Sequence, residues 1–559
     1  MVVVGDTLLD RDIDGSVSRI CPDAPAPVLD ETTAIDRPGG AGLAALLAAA
    51  QGYDVALITA LAADAGGDRL AELLAAAGVT VFALPCTGAT AEKVRLRAGG
   101  RVLLRLDRGG MVGEVPGAPS AAALAELERA SAVLVSDYGR GVTRQAEVRA
   151  ALTRTGAPVV WDPHPRGPAA VPGARLVTPN EGELRGLTGV TEGGRLAAAA
   201  RGAEELRRRW RAGAVVVTLG ADGALLSQSG PTPLVVPVPA RAEGDTCGAG
   251  DRFAIAAAIA LAGGALVSEA VQEAVDQAAA YVAAGGVATA VATAPVARPG
   301  EGTATQALPP AQTAPPWRTV TVDAAVSSAA TSAADSNGGN GRHHNGKNNG
   351  NGNGNGGTGG DATEAGGVLT LSATPPGGDG PGRAATTVLG AMPAGADAAG
   401  ALVSRVRAAG GTVVASGGCF DLLHAGHVAT LEAARRLGDC LVVCLNSDAS
   451  VRALKGPERP VVGEADRTRL LSALACVDAV VMFDETTPHA VLSWLRPDVW
   501  VKGGDYSGGA GDASDLPEAE LVARWGGQTV VVPYLDGHST TRMIAAARGG
   551  NGHLPKGEL

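Results

Sequence analysis

"GTVVASGGCFDLLHAGHVATLEAARRLGD" runs from Gly411 to Asp439 and decides the fold of its half of the chain. Its first residues are small or β-branched and predict a buried strand, two glycines predict a turn, and the alanine- and leucine-rich remainder predicts a helix. We expect Gly438 to end that helix as a C-terminal cap. A strand, a glycine turn and a helix in this order are typical of the start of a Rossmann-like βαβ unit.

Two histidines lie where this turn becomes the helix. His424 and His427 are three residues apart and share one face of the first turn. Two imidazoles beside the free amides of a helix N-terminus can donate to phosphate oxygens, and one such donor is worth on the order of a hundredfold to a thousandfold in rate. A zinc site lacks an HExxH pattern and an obvious third ligand, and a core role is typical of one histidine rather than two.

A second stretch, "AEGDTCGAGDRFAIAAAIALAGG" from Ala242 to Gly264, predicts an anion-binding turn. Its small residues Gly248, Ala249 and Gly250 let backbone amides converge at a helix N-terminus, where the helix dipole attracts a phosphate. Asp251 follows, in a position where a carboxylate can orient or deprotonate a substrate hydroxyl. On these residues alone, an ordinary glycine turn capped by aspartate is the alternative.

The whole chain is predicted to be an α/β protein of more than one domain. At 559 residues it exceeds the size at which a single core usually stops growing. Short runs rich in valine and leucine alternate with alanine-rich helical patterns in both halves, which indicates parallel strands covered on both faces. The segment from Ile13 to Arg37 is different, because its prolines and alternating residues predict a small strand-rich lid.

A glycine- and asparagine-rich segment from Ala333 to Gly367 separates the two halves. Its composition cannot bury enough apolar surface to offset the entropy of ordering, so we predict a flexible tether. The predicted division is a first domain at 1–300, a linker at 301–395 and a second domain at 396–559.

Charge and cysteine content limit the partners and the compartment. The formal net charge of -11 argues against a broad nucleic-acid-binding surface and favours small anionic ligands held in local basic pockets. The seven cysteines form no CxxC pair, as expected in a reducing cytoplasm. We find no apolar run of about 18 residues without polar or small breaks, so no membrane association is expected.

The first half, over about residues 1 to 295, resembles the PfkB/ribokinase sugar kinases. The motifs "GDTLLD", "RPGGAG", "TPNEGEL", "VVVTLGADGALL" and "DTCGAGD" occur in the order of that family. The resemblance implies a ribokinase-like three-layer αβα fold with a small β lid and names Asp251 as the catalytic base. It implies sugar binding by Asp6, Asp10, Gly39 and Gly40. It further implies that ATP, Mg²⁺ and phosphate are held near Asn180, Glu183, Thr218, Gly220 and Gly223 and the turn at Gly248, Ala249 and Gly250, with Glu183 acting indirectly on the metal.

The stretches "VSRICPDAPAPV", "EKVRLRAGGRVLLRLD" and "SDYGRG" in the first half are similar to those of the heptose-phosphate kinases. They imply that Lys93, Arg95 and Arg105 hold a sugar phosphate, which requires fixed cationic donors. Four positions depart from the family pattern: Leu43 replaces an asparagine, Cys247 a threonine, His164 a lysine and Arg140 a lysine.

The second half, over about residues 396 to 559, resembles the HxGH cytidylyltransferase-like nucleotidyltransferases. "GCFDLLHAGH" matches the family signature, and further matches follow in order along the chain. The resemblance implies that His424 and His427 are catalytic. It implies nucleotide binding by Phe420, Asp421, Lys455, Arg467, Lys502, Ser539, Thr540 and Thr541.

The fusion of the two halves is similar to the bifunctional heptose kinase/adenylyltransferase family that makes ADP-heptose. That resemblance implies phosphorylation of D-glycero-β-D-manno-heptose 7-phosphate at C1, and adenylyl transfer from ATP to heptose 1-phosphate. Its implied cofactors are ATP and Mg²⁺, its partners are small-molecule sugar phosphates, and its assembly is a homodimer through the kinase domain. Three alternatives stay open: another sugar or polyol phosphate with CTP as the nucleotide, a kinase half that only regulates the transferase, and a non-catalytic sugar-nucleotide sensor.

Overall fold

The computed structural model describes residues 1–110, 115–228, 230, 232–239, 244–287, 395–504 and 517–533. Ser539, Thr540 and Thr541 and the segment 301–394 of the predicted linker lie outside these residues. None of the described helices is both long and apolar enough to cross a lipid bilayer.

The first half is built on a mainly parallel sheet. Its strands are β1 (Val2–Gly5), β4 (Ala56–Ala60), β5 (Thr80–Leu84), β8 (Val133–Ser136), β9 (Val159–Asp162), β10 (Leu176–Val177), β11 (Val215–Thr218), β12 (Ala224–Ser227) and β13 (Leu234–Val236). Their order in the sheet is β13-β12-β11-β10-β9-β8-β1-β4-β5, and β12 is antiparallel to both of its neighbours. The central strands are buried on both faces, as their continuous apolar runs predicted.

Helices cover both faces of this sheet. They are α1 (Ala41–Ala49), α2 (Ala65–Ala76), α3 (Ala121–Arg129), α4 (Ala146–Arg154), α5 (Glu181–Thr188), α6 (Arg195–Trp210), α7 (Ala249–Ala262) and α8 (Val267–Ala283). Helices α1, α7 and α8 pack on one face in one core cluster, whereas α3, α4 and α6 pack on the other. The three-layer αβα arrangement predicted for this half is confirmed.

A separate sheet forms the predicted lid. It contains β2 (Thr7–Ile20), β3 (Pro27–Gly40), β6 (Glu92–Ala98) and β7 (Arg101–Arg108), in the order β3-β2-β6-β7. Because side chains alternate between the two faces of a strand, Asp10 and Asp12 share a face with Lys93 and Arg95, their register partners on β6. The strand-rich excursion predicted from Ile13 to Arg37 is therefore part of a lid that also includes β6 and β7.

The second half contains the predicted βαβ start. Its strands are β14 (Val413–Gly418), β15 (Cys440–Asn446), β16 (Ala479–Phe483), β17 (Val499–Gly503) and β18 (Gln528–Val532), in the parallel order β16-β15-β14-β17-β18. Its helices are α9 (Ala396–Ala408), α10 (Ala425–Arg435), α11 (Asp448–Lys455), α12 (Glu464–Ser472), α13 (His489–Leu495) and α14 (Pro517–Ala523). Strand β14, helix α10 and strand β15 follow one another along the chain, and the two strands pair in parallel. The predicted Rossmann-like βαβ unit is confirmed.

Gly438 does not cap the helix as expected. Helix α10 ends at Arg435, and the residue after it, Arg436, is still in the right-handed helical region. A Cβ at Gly438 would lie 2.6 Å from Val414 Cγ2 and 2.7 Å from the Thr412 carbonyl oxygen. The glycine is therefore required by the close approach of two chain segments rather than by a helix cap.

The two sheets are hydrogen-bonded at their edges. Strand β18 pairs in parallel with β13 at Leu234 and Val531, and the Val531 amide donates to the Pro233 carbonyl over 3.1 Å. Each sheet thereby covers part of one edge strand of the other and satisfies some of the backbone polar groups there.

Candidate active sites

The first candidate site lies at the N-terminus of α7. Gly248 precedes the helix with φ of 79°, a left-handed conformation that favours glycine. A Cβ there would lie 2.8 Å from the Tyr281 hydroxyl and 3.0 Å from Leu43 Cδ2, so the backbone approaches its neighbours too closely for a side chain. The turn directs the first amides of the helix into the cleft, where they can bind an anion.

Asp251 lies in the first turn of α7 and is buried. Burial raises the pKa of this carboxyl from 3.8 to about 7, and the negative charges of Asp10 and Glu183 act in the same direction. Lys93 and the hydroxyl of Tyr138 oppose the shift. A carboxylate with a pKa near neutrality is suited to accept a proton from a substrate hydroxyl.

An acidic group lies beside this base. Asn180 and Glu183 form a capping box at the start of α5, in which each side chain bonds to the other residue's backbone amide over 2.9 Å. Removal from water raises the pKa of Glu183 and of Asp162, and repulsion between these carboxyls adds to the shift of Asp162. The negative charges of these carboxyls favour the binding of a cation nearby. Among the described residues, no cluster of three or more His, Cys, Asp or Glu side chains could hold a metal ion.

A cavity of about 210 Å³ adjoins the α7 turn. The predicted nucleotide residues Thr218, Gly220 and Gly223 line it together with Ala249 and Gly250. Apart from Thr246, the remaining lining is apolar and includes Val238, Phe253, Val275 and Val282. An apolar slot that opens onto an anion-binding turn is shaped for a planar base attached to phosphates.

The lid presents a basic cluster to the same cleft. Lys93 Nζ lies 4.0 Å from Asp10 Oδ1, and Arg95 contacts both Asp10 and Asp12 at 3.2 and 3.3 Å. Arg37 is buried against Asp12 at 2.7 Å. The cations outnumber the carboxylates they contact, so the cluster has surplus positive charge for an anionic ligand.

Gly39 and Gly40, which end β3 and are called the hinge glycines below, lie next to this cluster. A Cβ at Gly39 would lie 2.6 Å from Asp10 Oδ2, and one at Gly40 would lie 2.4 Å from the Asp6 carbonyl oxygen. These glycines let β3 pass directly against the start of β2, which places the backbone close to the predicted sugar position.

Asp6 and Arg105 form contacts within the protein, and their expected roles in sugar and phosphate binding stay predictions. The Asp6 carboxylate accepts hydrogen bonds from the backbone amides of Tyr138, Arg140 and Val142 over 2.8 to 3.1 Å, so it fixes a loop instead of facing the cleft. Arg105 is exposed and forms a bidentate pair with Asp107 two residues along its strand. Its guanidinium is thus engaged at the outer part of the lid.

The departure at Leu43 has a structural role, and Cys247 contributes a backbone contact that any residue there could make. Leu43 is buried in α1 and packs beneath the Gly248 turn, so it supports the anion-binding backbone and does not present a polar group to the cleft. The carbonyl of Cys247 accepts a hydrogen bond from the Tyr281 hydroxyl over 2.9 Å, and burial raises the pKa of its thiol. Tyr281 is a contact that sequence reasoning missed, because no motif surrounds it.

The second candidate site lies at the N-terminus of α10. His424 is the N-cap residue, and its ring stacks on that of His427 with centroids 3.9 Å apart and planes inclined by 27°. Phe420, which has a left-handed φ of 44°, lies with its ring 5.2 Å from that of His427. Burial, with the nearby His424 and Lys455, lowers the pKa of His427 to about 4, so this imidazole is neutral at physiological pH.

Asp421 and Arg467 fix the loops of this site. The Asp421 carboxylate accepts hydrogen bonds from the Val461 and Val462 amides over 2.6 and 3.1 Å and forms an ion pair with Arg459. These contacts order the loop around Asp421, and its expected part in nucleotide binding stays a prediction.

Arg467 corrects a sequence-based expectation. Its side chain is fully buried and donates to the carbonyls of Cys419, Asn446 and Val462 and to the Asp448 carboxylate. A guanidinium enclosed in this way holds the loops together, whereas the expected role was to neutralise a triphosphate.

Two lysines border the same site. Lys455 is exposed at the end of α11, and Lys502 at the end of β17 forms a 3.0 Å ion pair with the buried Glu518. Lys502 Nζ also lies 5.6 Å from the centre of the Trp500 ring. Glu518 is a further contact that sequence reasoning missed, since one carboxylate on a short helix has no motif.

Comparison with known proteins identifies both halves. The pfkB family carbohydrate kinase model matches residues 1–294, and the cytidylyltransferase-like model matches residues 415–523. The bifunctional protein HldE of Streptomyces coelicolor is 48% identical, with 98% of this chain and 97% of that protein covered. The HldE protein of Azorhizobium caulinodans is 35% identical, with 98% of each chain covered.

The chain belongs to the HldE family of bifunctional proteins. Within this family the chain is a bifunctional enzyme, with a sugar kinase in its first half and a nucleotidyltransferase in its second. Among solved structures, it is also similar to Arabidopsis thaliana ribokinase complexed with ribose and ATP, with 24% identity, a TM-score of 0.42, and coverage of 53% of this chain and 95% of that chain.

Proposed function

We propose that the chain catalyses two steps in the formation of ADP-heptose. In the first, ATP phosphorylates D-glycero-β-D-manno-heptose 7-phosphate at C1 to the 1,7-bisphosphate. In the second, after a separate phosphatase has removed the 7-phosphate, heptose 1-phosphate takes an adenylyl group from ATP and releases pyrophosphate. The observation that supports this most strongly is the occurrence of a kinase site under a basic lid and an HxGH site in one chain.

Asp251 is the proposed base of the kinase step. Its carboxylate accepts the proton of the C1 hydroxyl while the new O–P bond forms and the bond from the γ-phosphorus to its bridging oxygen breaks. The backbone amides at Gly248, Ala249 and Gly250 stabilise the negative charge on the phosphoryl group in transfer. We place the adenine of ATP in the adjoining cavity of about 210 Å³.

We propose that the 7-phosphate binds to the lid. Lys93 and Arg95 lie on the face of the lid that includes Asp10, next to the hinge glycines. Because the cations of this cluster are already oriented by carboxylates, they lose little entropy when they bind a phosphate.

Mg²⁺ fits the acidic group beside Asp251. The pKa values of Asp162 and Glu183 are raised by burial and, for Asp162, by mutual repulsion, and a cation would relieve both effects. Carboxylate oxygens and water are the ligands that Mg²⁺ prefers. We propose that Glu183, with Asn180 and Asp162, holds the ion indirectly, where it supplies neutralisation of phosphate charge.

His424 and His427 are the proposed donors of the transferase step. A phosphate oxygen of heptose 1-phosphate attacks the α-phosphorus of ATP, and the bond from that phosphorus to the leaving pyrophosphate breaks. The imidazole N–H groups donate to the α-phosphate oxygens as their charge grows. The attacking oxygen is already an anion, so this step requires no base. We propose that Lys455, Lys502 and the hydroxyls of Ser539, Thr540 and Thr541 bind the triphosphate.

Two substitutions test this division of labour in the full-length protein. We expect Asp251→Asn to lower ADP formation from ATP and heptose 7-phosphate at least a thousandfold, with pyrophosphate release from ATP and heptose 1-phosphate unchanged. The substitution His427→Ala should have the converse effect, with a loss of a hundredfold or more in the transferase. Asp23→Asn and His489→Ala, which change the same residue types outside both sites, serve as controls.

The outcomes of this experiment decide between the candidate functions. Loss of both activities in either variant would contradict the division of labour. If the wild-type protein phosphorylates another sugar phosphate faster than heptose 7-phosphate, or uses CTP better than ATP, the sugar or nucleotide assignment is wrong.

We also propose that the kinase half forms a homodimer through the lid. The face of the lid opposite Lys93 and Arg95 has apolar side chains in cross-strand register, at Leu96 and Leu104 and at Val94 and Leu106. Leu104 and Leu106 are exposed in the single chain, and a second copy of the lid would bury them. A mass near 55 kDa in light scattering, the mass of one chain, would contradict this assembly.

The compartment that we propose is the cytoplasm. All seven cysteines are free thiols in the structure, which is the state that a reducing compartment maintains. Both proposed reactions also consume ATP, so they require a compartment that contains it.

A further inference from the structure

Tyr138 is a residue of the kinase cleft to which the proposed function assigns no role. It follows β8 in the sequence "SDYGRG" and sits on a turn that two carboxylates hold in place. The Tyr138 amide donates to Asp6 Oδ2 over 3.1 Å, and the next amide, of Gly139, donates to Asp137 Oδ1 over 2.7 Å. The backbone of this tyrosine is therefore fixed independently of its side chain.

The tyrosine side chain reaches from this turn to the proposed base. Its hydroxyl oxygen lies 3.5 Å from Asp251 Oδ1, a long hydrogen bond of the kind that tightens when substrates bind. Its ring lies against Gly40, where a Cβ would be 3.3 Å from two ring carbons. Lys93 Nζ of the lid is 6.0 Å from the ring centre. One side chain thus contacts the base, the hinge and the lid.

In the hydrogen bond between Tyr138 and Asp251, the hydroxyl is the donor and the carboxylate is the acceptor. The negative charge of Asp251, followed by burial, raises the pKa of the Tyr138 phenol well above 10, so the hydroxyl keeps its proton. A protonated phenol next to a carboxylate is the donor, and a donor stabilises the ionised form of the carboxylate. The charged or titratable groups that act most strongly on Asp251 are Lys93, Asp10, Glu183 and Tyr138. Asp162 on β9 and Tyr281 on α8 also lie close enough for the charge of Asp251 to raise their pKa values.

We propose that Tyr138 is a positioning residue for the kinase base: its hydroxyl holds Asp251 Oδ1 and leaves Oδ2 to accept the proton of the sugar hydroxyl. The proposal rests on the proposed function, in which Asp251 is that base. Since the hydroxyl also stabilises the carboxylate form, it keeps the base ionised at a lower pH than burial alone would allow. The contact of the ring with Gly40 and Lys93 places this hydroxyl correctly only when hinge and lid are in place.

The test removes the hydroxyl and retains the ring. In the full-length protein, we expect Tyr138→Phe to lower the kinase kcat about tenfold, as for the loss of a weak hydrogen bond to a charged group, with less than a twofold change in KM. The acid limb of the kinase kcat/KM profile should move upward by about half a pH unit to one unit, so high pH should restore part of the activity. Transferase activity should not change, and Tyr53→Phe, a half-exposed tyrosine at the end of α1, is the matched control.

A second replacement makes the sign of the effect testable. Incorporation of 3-fluorotyrosine at position 138 keeps the shape and strengthens the donor, so the acid limb should move downward instead. This arm also applies if the phenylalanine variant folds poorly.

The alternatives are distinguishable. A Tyr138→Phe enzyme with wild-type kcat and an unmoved acid limb would overturn the proposal for Tyr138. If Asp251→Asn still loses kinase activity in that case, the assignment of Asp251 as the base stands. A change in KM alone would also overturn it, because it would indicate a binding role. Kinase activity that survives Asp251→Asn would instead disprove the proposed function itself.

Discussion

Asp251 illustrates at the residue scale how catalysis and stability compete. Its pKa rises from 3.8 to about 7 in the folded protein, because burial penalises the charge. As pH increases, the unfolded chain therefore ionises first, and the folded state is destabilised between about pH 4 and pH 7 and stays so above pH 7. We expect Asp251→Asn to stabilise the kinase half by about 2–4 kcal/mol at pH 8, with a smaller gain at pH 5.

Urea unfolding of wild type and variant at the two pH values measures this difference. The exposed substitution Asp23→Asn should show no pH-dependent gain. An Asp251→Asn protein that is less stable than wild type at pH 8 would show that hydrogen bonds of the carboxylate outweigh its desolvation.

The two active sites should also respond differently to pH. Kinase kcat/KM should fall as pH drops below about 7, because Asp251 must be ionised to accept a proton. Transferase kcat/KM should show no limb from His427 between pH 6 and 8, because this imidazole has a pKa of about 4 and is neutral throughout this range.

Parallel profiles on one preparation of the protein check this contrast. The second ionisation of a sugar phosphate lies near pH 6, so a kinase limb about one unit higher belongs to the enzyme. Equal profiles for the two reactions would contradict the assignment of the bases and donors.

The sequence indicated which residue types meet at each site but not which of them are buried. Asp251, His424 and His427 lie at helix N-termini as expected, since glycine turns and helical periodicity are local signals. Arg467 was expected to bind phosphate, yet it is enclosed by backbone carbonyls from three separate segments. No sequence pattern pointed to the side chain of Tyr138, because its contact with Asp251 spans 113 residues of sequence.

At the scale of single elements, the turn before α7 can be tested with a matched pair of glycines. Gly248 and Gly264 flank the helix with φ of 79° and 89°, so alanine at either position incurs a similar backbone cost of roughly 1 kcal/mol. Only Gly248 is crowded, by the Tyr281 hydroxyl and Leu43, whereas a Cβ at Gly264 meets nothing within 4 Å. We expect Gly248→Ala to lower kinase kcat at least a hundredfold, and Gly264→Ala to lower stability only.

Kinase assays and thermal unfolding of both variants distinguish the two effects. The transferase reaction provides an internal control for each preparation. Similar kinase losses in both variants would mean that the helix as a whole, and not the anion-binding turn, limits the reaction.

The sequence predicted the type of most elements, and it erred where distant contacts decide an end. Apolar runs predicted the buried strands of both halves because a strand covered on two faces has no polar alternation. The cap expected at Gly438 was wrong because a glycine near a helix end signals either a left-handed residue or a close approach, and only the packing against Val414 decides between them. The contribution of β6 and β7 to the lid also depends on pairing across more than 70 residues.

At the scale of the whole molecule, the two reactions are separated by a step that neither site performs. The 7-phosphate must be removed between phosphorylation at C1 and adenylyl transfer, so the intermediate has to leave the chain and return. The segment from Ala333 to Gly367, whose glycine- and asparagine-rich composition predicts a flexible chain, is not expected to guide the intermediate from one site to the other. Covalent fusion then contributes equal amounts of the two enzymes and no direct transfer of the intermediate between them.

This reasoning predicts the behaviour of a mixture of variants. An equimolar mixture of the Asp251→Asn and His427→Ala proteins, supplied with heptose 7-phosphate, ATP and a phosphatase, should form ADP-heptose as fast as wild type present at half the total concentration. Each active site is then at the same concentration in both samples, and free diffusion of the intermediates makes their location on one chain irrelevant. A wild-type rate several times that of the mixture, or a shorter lag before ADP-heptose appears, would show instead that intermediates pass directly between the two halves of one chain.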